Sequence, residues 1–97
     1  MLIHAVVFRF AATATQAARA EIRAALAGLP AAIPEIRRYE FGDDAGINPG
    51  AGDFAVVAAF DDRAGYEAYR DHPAHVEVIT TVIAPVLESR TFCQFEV

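Results

Sequence analysis

The chain contains no lysine, a single cysteine, and no apolar run of the roughly 18 residues that a membrane span requires. Each lack removes a class of function. With only Cys93 available, no internal disulfide can close and no thiolate metal cluster can be assembled. A reducing cytoplasm is the expected setting, with Cys93 a small buried hydrophobe. All eight basic residues are arginine, set against thirteen Asp and Glu, for a formal net charge of −5. That balance argues against nucleic acid or an anionic membrane surface as a partner. The opening LIHAVVF, followed by AATA, has the look of a secretory leader. No basic segment precedes it, however, and Arg9 follows the apolar stretch at once, so a strand is expected instead. No GxGxxG, Walker loop or GxSxG occurs, which leaves nucleotide and serine-hydrolase chemistry without support.

Apolar surface, by contrast, is abundant. Hydrophobic residues make up 55% of the sequence, above the usual share of about 45–50%. A chain of 97 residues makes a single domain, residues 1–97, with a thin core. Self-association is the simplest way to cover the remainder.

The order of elements follows from periodicity and punctuation. LIHAVVFRF is expected to be a strand, with His4, Val6, Phe8 and Phe10 on one face and Ile3, Ala5, Val7 and Arg9 on the other. Thr13 and Gln16 offer a capping box before a helix whose apolar positions include Ile22, Leu26 and Leu29, ended by Gly28 and Pro30. IRRYEFG reads as a second strand, DDAGINPGAGD as a loop, and FAVVAAF as a third strand. Asp61 or Asp62 caps a helix through DRAGYEAYR, and Pro73 starts its continuation. VEVITTVIAPVL suits strand by its β-branched residues and helix by its spacing; the topology favours helix. SRTFCQFEV closes the order βαββαβ. This is an α+β, ferredoxin-like pattern: a four-stranded antiparallel sheet with helices on one face and a bare apolar face on the other. Two such faces packed together would make a homodimer.

Chemistry concentrates in YRDHPAHVEV, residues 69–78, and in His4. Three readings stand for the histidines. His72 and His75 are a helix junction that caps backbone groups, with His4 a hydrogen-bonded core residue. Alternatively, His4, His72 and His75 converge with Tyr69 on one pocket, where an imidazole serves as acid or base and a tyrosine hydroxyl steadies an enolate oxygen. Last, the three imidazoles bind a metal, although no recognised zinc motif accompanies them. On an ideal helix Tyr69 and His75 lie about 120° apart, so they share a pocket only if the break at Pro73 turns the second segment. Asp43, Asp44 and Asp53 are expected to be a solvated acidic loop.

IHAVVFRF, FDDRAGYEAYRDHPAHVEV and the terminal strand resemble, in order and spacing, the stress-responsive A/B barrel (Dabb) family over the whole chain. The resemblance implies a ferredoxin-like protomer, a homodimeric α/β barrel, and a cavity between sheet and helices. It implies a small dimeric ligand-binding or stress-related protein first. An alternative is a cofactor-independent lyase resembling the family's plant polyketide cyclases, which close a poly-β-ketone by aldol condensation. In that case His75 matches the base, Tyr69 its assisting tyrosine, and His4 a pocket histidine. Phe54 and Leu26 stand where those enzymes carry a histidine and a tyrosine, making the pocket more apolar. His72, Val6 and Phe8 are expected to line it as well. A small monooxygenase of the wider dimeric barrel type is a third possibility. No cofactor and no side-chain metal site is expected. Some plant members hold magnesium on backbone carbonyls at the turn that corresponds to Pro30, Ile33 and Ile36.

Overall fold

The computed structural model describes residues 1–97. Strand β1 (Leu2–Phe10) runs through the middle of the sheet, and its alternation decides which face is core. Leu2, His4, Val6, Phe8 and Phe10 are buried, whereas Val7 and Arg9 are exposed. The sheet order is β2-β3-β1-β4, with β2 at Arg38–Asp43, β3 at Phe54–Phe60 and β4 at Leu87–Glu96. Every neighbouring pair is antiparallel, as expected for a ferredoxin-like sheet. Register places His4 between Ala58 of β3 and Gln94 of β4, so Gln94, Phe92 and Arg90 share His4's face.

Helices α1 (Gln16–Ala27), α2 (Leu29–Ala32), α3 (Arg63–Asp71) and α4 (Pro73–Glu77) cover that face. Ile22 and Leu26 of α1, Leu29 and Ile33, Tyr69 of α3, and Val78 and Ile83 pack with Val6, Phe8, Phe54, Val56 and Phe60 into one core. Phe54 stacks between Phe8 and Phe41, at centroid distances of 6.2 and 6.3 Å. Such aromatic packing adds about 0.5–1.5 kcal/mol per pair beyond area burial.

Local details depart from the sequence reading in three places and decide between its alternatives in a fourth. The cap of α1 is Thr15, not Thr13: its Oγ1 accepts the Ala18 N–H at 3.1 Å, because a turn at Ala11–Ala14 delays the helix start. Pro30 does not end a helix. It occupies the first turn of α2, where its missing N–H costs nothing. Of the two aspartates before α3, Asp62 is the cap, accepting the Gly65 N–H at 2.9 Å. Cys93 is exposed rather than buried in the protomer, since its register opposite Ala5 places it on the uncovered face of an edge strand.

The stretch after α4 is helical, as the topology favoured, but not regular. Val78–Ile83 winds as a π-helix, followed by a 3₁₀ turn at Ala84–Val86. The Ala84 N–H reaches back to the Ile79 carbonyl, and the Thr80 and Thr81 hydroxyls bond carbonyls one turn earlier. Such back-bonding competes with the backbone ladder and weakens it locally.

Candidate functional site

Pro73 sets up the site by what it forbids. The residue before a proline is kept out of the α region, and His72 accordingly sits at φ −64°, ψ 133°, ending α3 and beginning α4. Its Nδ1 accepts the Ala74 N–H at 3.1 Å. The second segment thereby turns, and the Tyr69 and His75 rings pack against each other, tilted by 33°, with centroids 4.1 Å apart. The 120° separation of an unbroken helix has been erased by the joint.

Beneath this joint lies a cavity of about 150 Å³ between β1, β4 and the helical layer. His4, Tyr69 and His75 all line it, as do Val6, Phe8 and Leu26. His72 and Phe54 do not: His72 is spent on the backbone, and Phe54 is filled in on both sides by aromatic neighbours. Hence the three imidazoles do not meet at one centre, and no group of three His, Cys, Asp or Glu side chains is arranged so that it could hold a metal ion. At the turn after α1, the carbonyls of Leu29 and Ile33 accept backbone hydrogen bonds, and that of Pro34 accepts the Arg37 guanidinium at 2.7 Å.

Tautomers follow from the partners. The carbonyl of Arg70, 3.1 Å from His75 Nδ1, can only accept, so Nδ1 carries the proton and Nε2 keeps its lone pair. Burial holds the His75 pKa below its usual value, partly opposed by that hydrogen bond and reinforced by the charge of Arg90. His4 differs. Its Nδ1 accepts from the Gln94 amide at 2.9 Å, which places the proton on Nε2. Burial, then the neighbouring His75 and Arg90, lower its pKa to about 4. Both rings are therefore neutral at pH 7, one oriented as an acceptor and the other as a donor.

Tyr39, Tyr66, Arg70, Arg90 and Phe92 also line the cavity and were not singled out in the sequence. Tyr39 and Tyr66 lie within an expected strand and an expected helix, and nothing in their neighbourhood marked a cavity there. The Tyr39 and Tyr69 hydroxyls share one hydrogen bond of 2.8 Å. Two O–H groups and one bond leave one proton to donate to a guest. Burial pushes the Tyr39 hydroxyl up to about 12, and raises Tyr69 further with help from Tyr39, so both stay protonated.

The family model for the stress responsive A/B barrel domain matches residues 2–97. No protein of curated function matches the sequence. Among solved structures, a dimeric ferredoxin-like protein of unknown function from Thermobifida fusca is 43% identical, with a TM-score of 0.92, covering 99% of this chain and 90% of that one. A dimeric protein of unknown function and ferredoxin-like fold from Bacteroides fragilis is 28% identical, with a TM-score of 0.82 over 99% of this chain and 95% of that one. The hydroxynitrile lyase from Passiflora edulis shares the fold at 19% identity, with a TM-score of 0.86 over 99% and 92%. Its sequence is too distant to carry more than the fold. Matched from its first strand to its last, the chain belongs to the stress-responsive A/B barrel domain family.

Proposed function

We propose that the protein is a homodimer whose cavity binds one small, largely apolar molecule with a polar end. The cavity carries this reading: an apolar wall with a few convergent polar groups is the usual form of a ligand site. A void of about 150 Å³ is the size that accepts benzene in an engineered core. It is smaller than the roughly 300–1,000 Å³ of sites for drug-sized ligands. A long poly-β-ketone exceeds it, whereas a small β-keto compound fits. Dimerisation through the open sheet face is supported by Val7, Val57 and Phe95, which stand 44, 40 and 48% exposed on it. A cytoplasmic setting rests on the lone, unpaired Cys93.

One observation favours a second reading, cofactor-independent lyase chemistry. His75 Nε2 is an unprotonated base in the cavity wall, with hydroxyl and imidazole donors beside it. His75 would take a proton from carbon next to a carbonyl, and the free tyrosine proton or His4 Nε2–H would hold the developing enolate oxygen. The monooxygenase alternative has only shared architecture behind it.

Titration with benzyl alcohol, followed by the imidazole resonances of His4 and His75, tests the binding reading. Saturable shifts at both rings are expected, and their absence refutes it. Exchange of the acidic protons of acetylacetone into heavy water tests the second: the protein should accelerate it and His75→Ala should not. Equal rates with the two proteins eliminate His75 as the base.

A further inference from the structure

Charge is distributed against the grain of this sequence. The chain carries a net charge of −5, yet the cavity wall holds two arginines and no carboxylate. One of the two is already neutralised: Arg70 lies against Asp71 at 2.8 and 2.9 Å and reaches Glu67. The Arg90 side chain makes no ion pair and no hydrogen bond, its backbone being paired with Phe8 in the sheet. Its guanidinium rests on the ring of Phe92, 5.1 Å from the centroid, at the solvent-facing side of the cavity. Phe92 packs at 6.3 Å from His4, and His4 at 5.0 Å from Tyr66. Tyr66 is half-buried, lines the same wall, and has a hydroxyl bonded to no protein group. An arginine laid on an aromatic face is held in place while its N–H groups stay available, and a guanidinium fork matches a carboxylate.

We propose that the guest of this cavity is a small apolar monocarboxylate, its ring or chain in the pocket and its charged end held by Arg90 at the mouth. The proposal rests on the cavity being a binding site. A single unpaired cation favours one negative charge, since a phosphate dianion would be left half-compensated. Tyr66 supplies a second, neutral donor to the same carboxylate. Arg90 acts also on the chemistry, because its positive charge disfavours protonation of both His4 and His75. A bound carboxylate would cancel that field.

Binding of benzoate and of benzyl alcohol, measured by titration calorimetry on the wild-type protein, Arg90→Gln and Arg63→Gln, tests the proposal. Arg63 is exposed on α3 outside the cavity and controls for the loss of one positive charge. Arg90→Gln should weaken benzoate about tenfold or more, as expected for loss of a charge-assisted hydrogen bond. Benzyl alcohol should be unaffected, and Arg63→Gln should behave as wild type with both probes. Equal weakening by both substitutions would reduce the effect to bulk charge and overturn the proposal. Binding of benzyl alcohol with rejection of benzoate overturns it while sparing the cavity reading. Failure of both probes with the wild-type protein overturns the two together.

Discussion

Removing the titrating ring at position 4 gives the most direct check on the electrostatics of the site. His4 is 8% exposed and its pKa lies at about 4 instead of 6.5, because burial disfavours the imidazolium. Above pH 6.5 the ring is neutral in the folded and unfolded states alike and adds no pH dependence. Between pH 6.5 and about 4 the unfolded chain takes up a proton that the folded one refuses, so stability falls as pH is lowered through this window. Below about 4 both states are protonated and the loss levels off. Carried over in full, this displacement corresponds to about 3 kcal/mol at 1.36 kcal/mol per pH unit. Water at the cavity mouth screens the site and leaves about 1–2 kcal/mol. The measurement is urea unfolding at pH 7, 6, 5 and 4.5 for wild type and His4→Gln, which keeps a polar partner for Gln94 and cannot titrate in this range. Subtracting one curve from the other removes the carboxylates common to both. Wild type should lose about 1–2 kcal/mol more than the variant on going from pH 7 to 4.5, and the imidazole resonance of His4 should titrate near pH 4. Identical pH dependence in the two proteins, or a His4 midpoint at or above 6.5, would falsify the burial argument.

Two further outcomes test other parts of the structure. Val57→Asp places a charge on the open sheet face, so light scattering should report monomers where wild type gives dimers, with the far-ultraviolet spectrum retained; an unchanged mass would remove that face from the interface. Gly52→Ala would set a Cβ 2.3 Å from Val7 Cγ1 and 3.3 Å from the Phe8 carbonyl oxygen, costing about 1–3 kcal/mol as overpacking does. Val7→Ala should recover much of that loss in the double variant, and failure to do so would shift the blame to the backbone contact.

Much of the fold is legible in the chain because one strand states it twice over. The alternation of His4, Val6, Phe8 and Phe10 marks the core face of β1, and Phe54, Val56, Ala58 and Phe60 repeat it on β3. The HPAH element is legible too, since the pre-proline restriction at His72 is a local rule that needs no tertiary knowledge. Arg90, by contrast, lies 86 residues from His4 in a strand whose residues are nearly all exposed in the protomer, so no apolar alternation marks its inward face. Only the pairing of β4 with β1 carries Arg90 and Phe92 to the cavity, and that register is a long-range property. The exposure of Cys93 is illegible for the same reason: its sequence neighbours say strand, but not which side of an edge strand is covered. The π-helix escaped because apolar spacing reads Val78–Ile83 as ordinary helix and carries no mark of the wider winding.

The wide winding at Val78–Ile83 has a consequence for how this cavity can change over evolutionary time. A π-turn holds one more residue than the α-turn it replaces, bonding five residues back instead of four. Loss of a single codon within the segment would let the ladder close on α spacing without pulling on either flank. The register of β4 against β1 would survive, and with it the sheet. What would change is the wall that Ile79 and Ile83 present to the cavity. Most single-residue deletions in a helix rotate everything that follows; here the fold keeps a slack residue beside the site, so a neighbouring lineage could reshape the pocket in one genetic step.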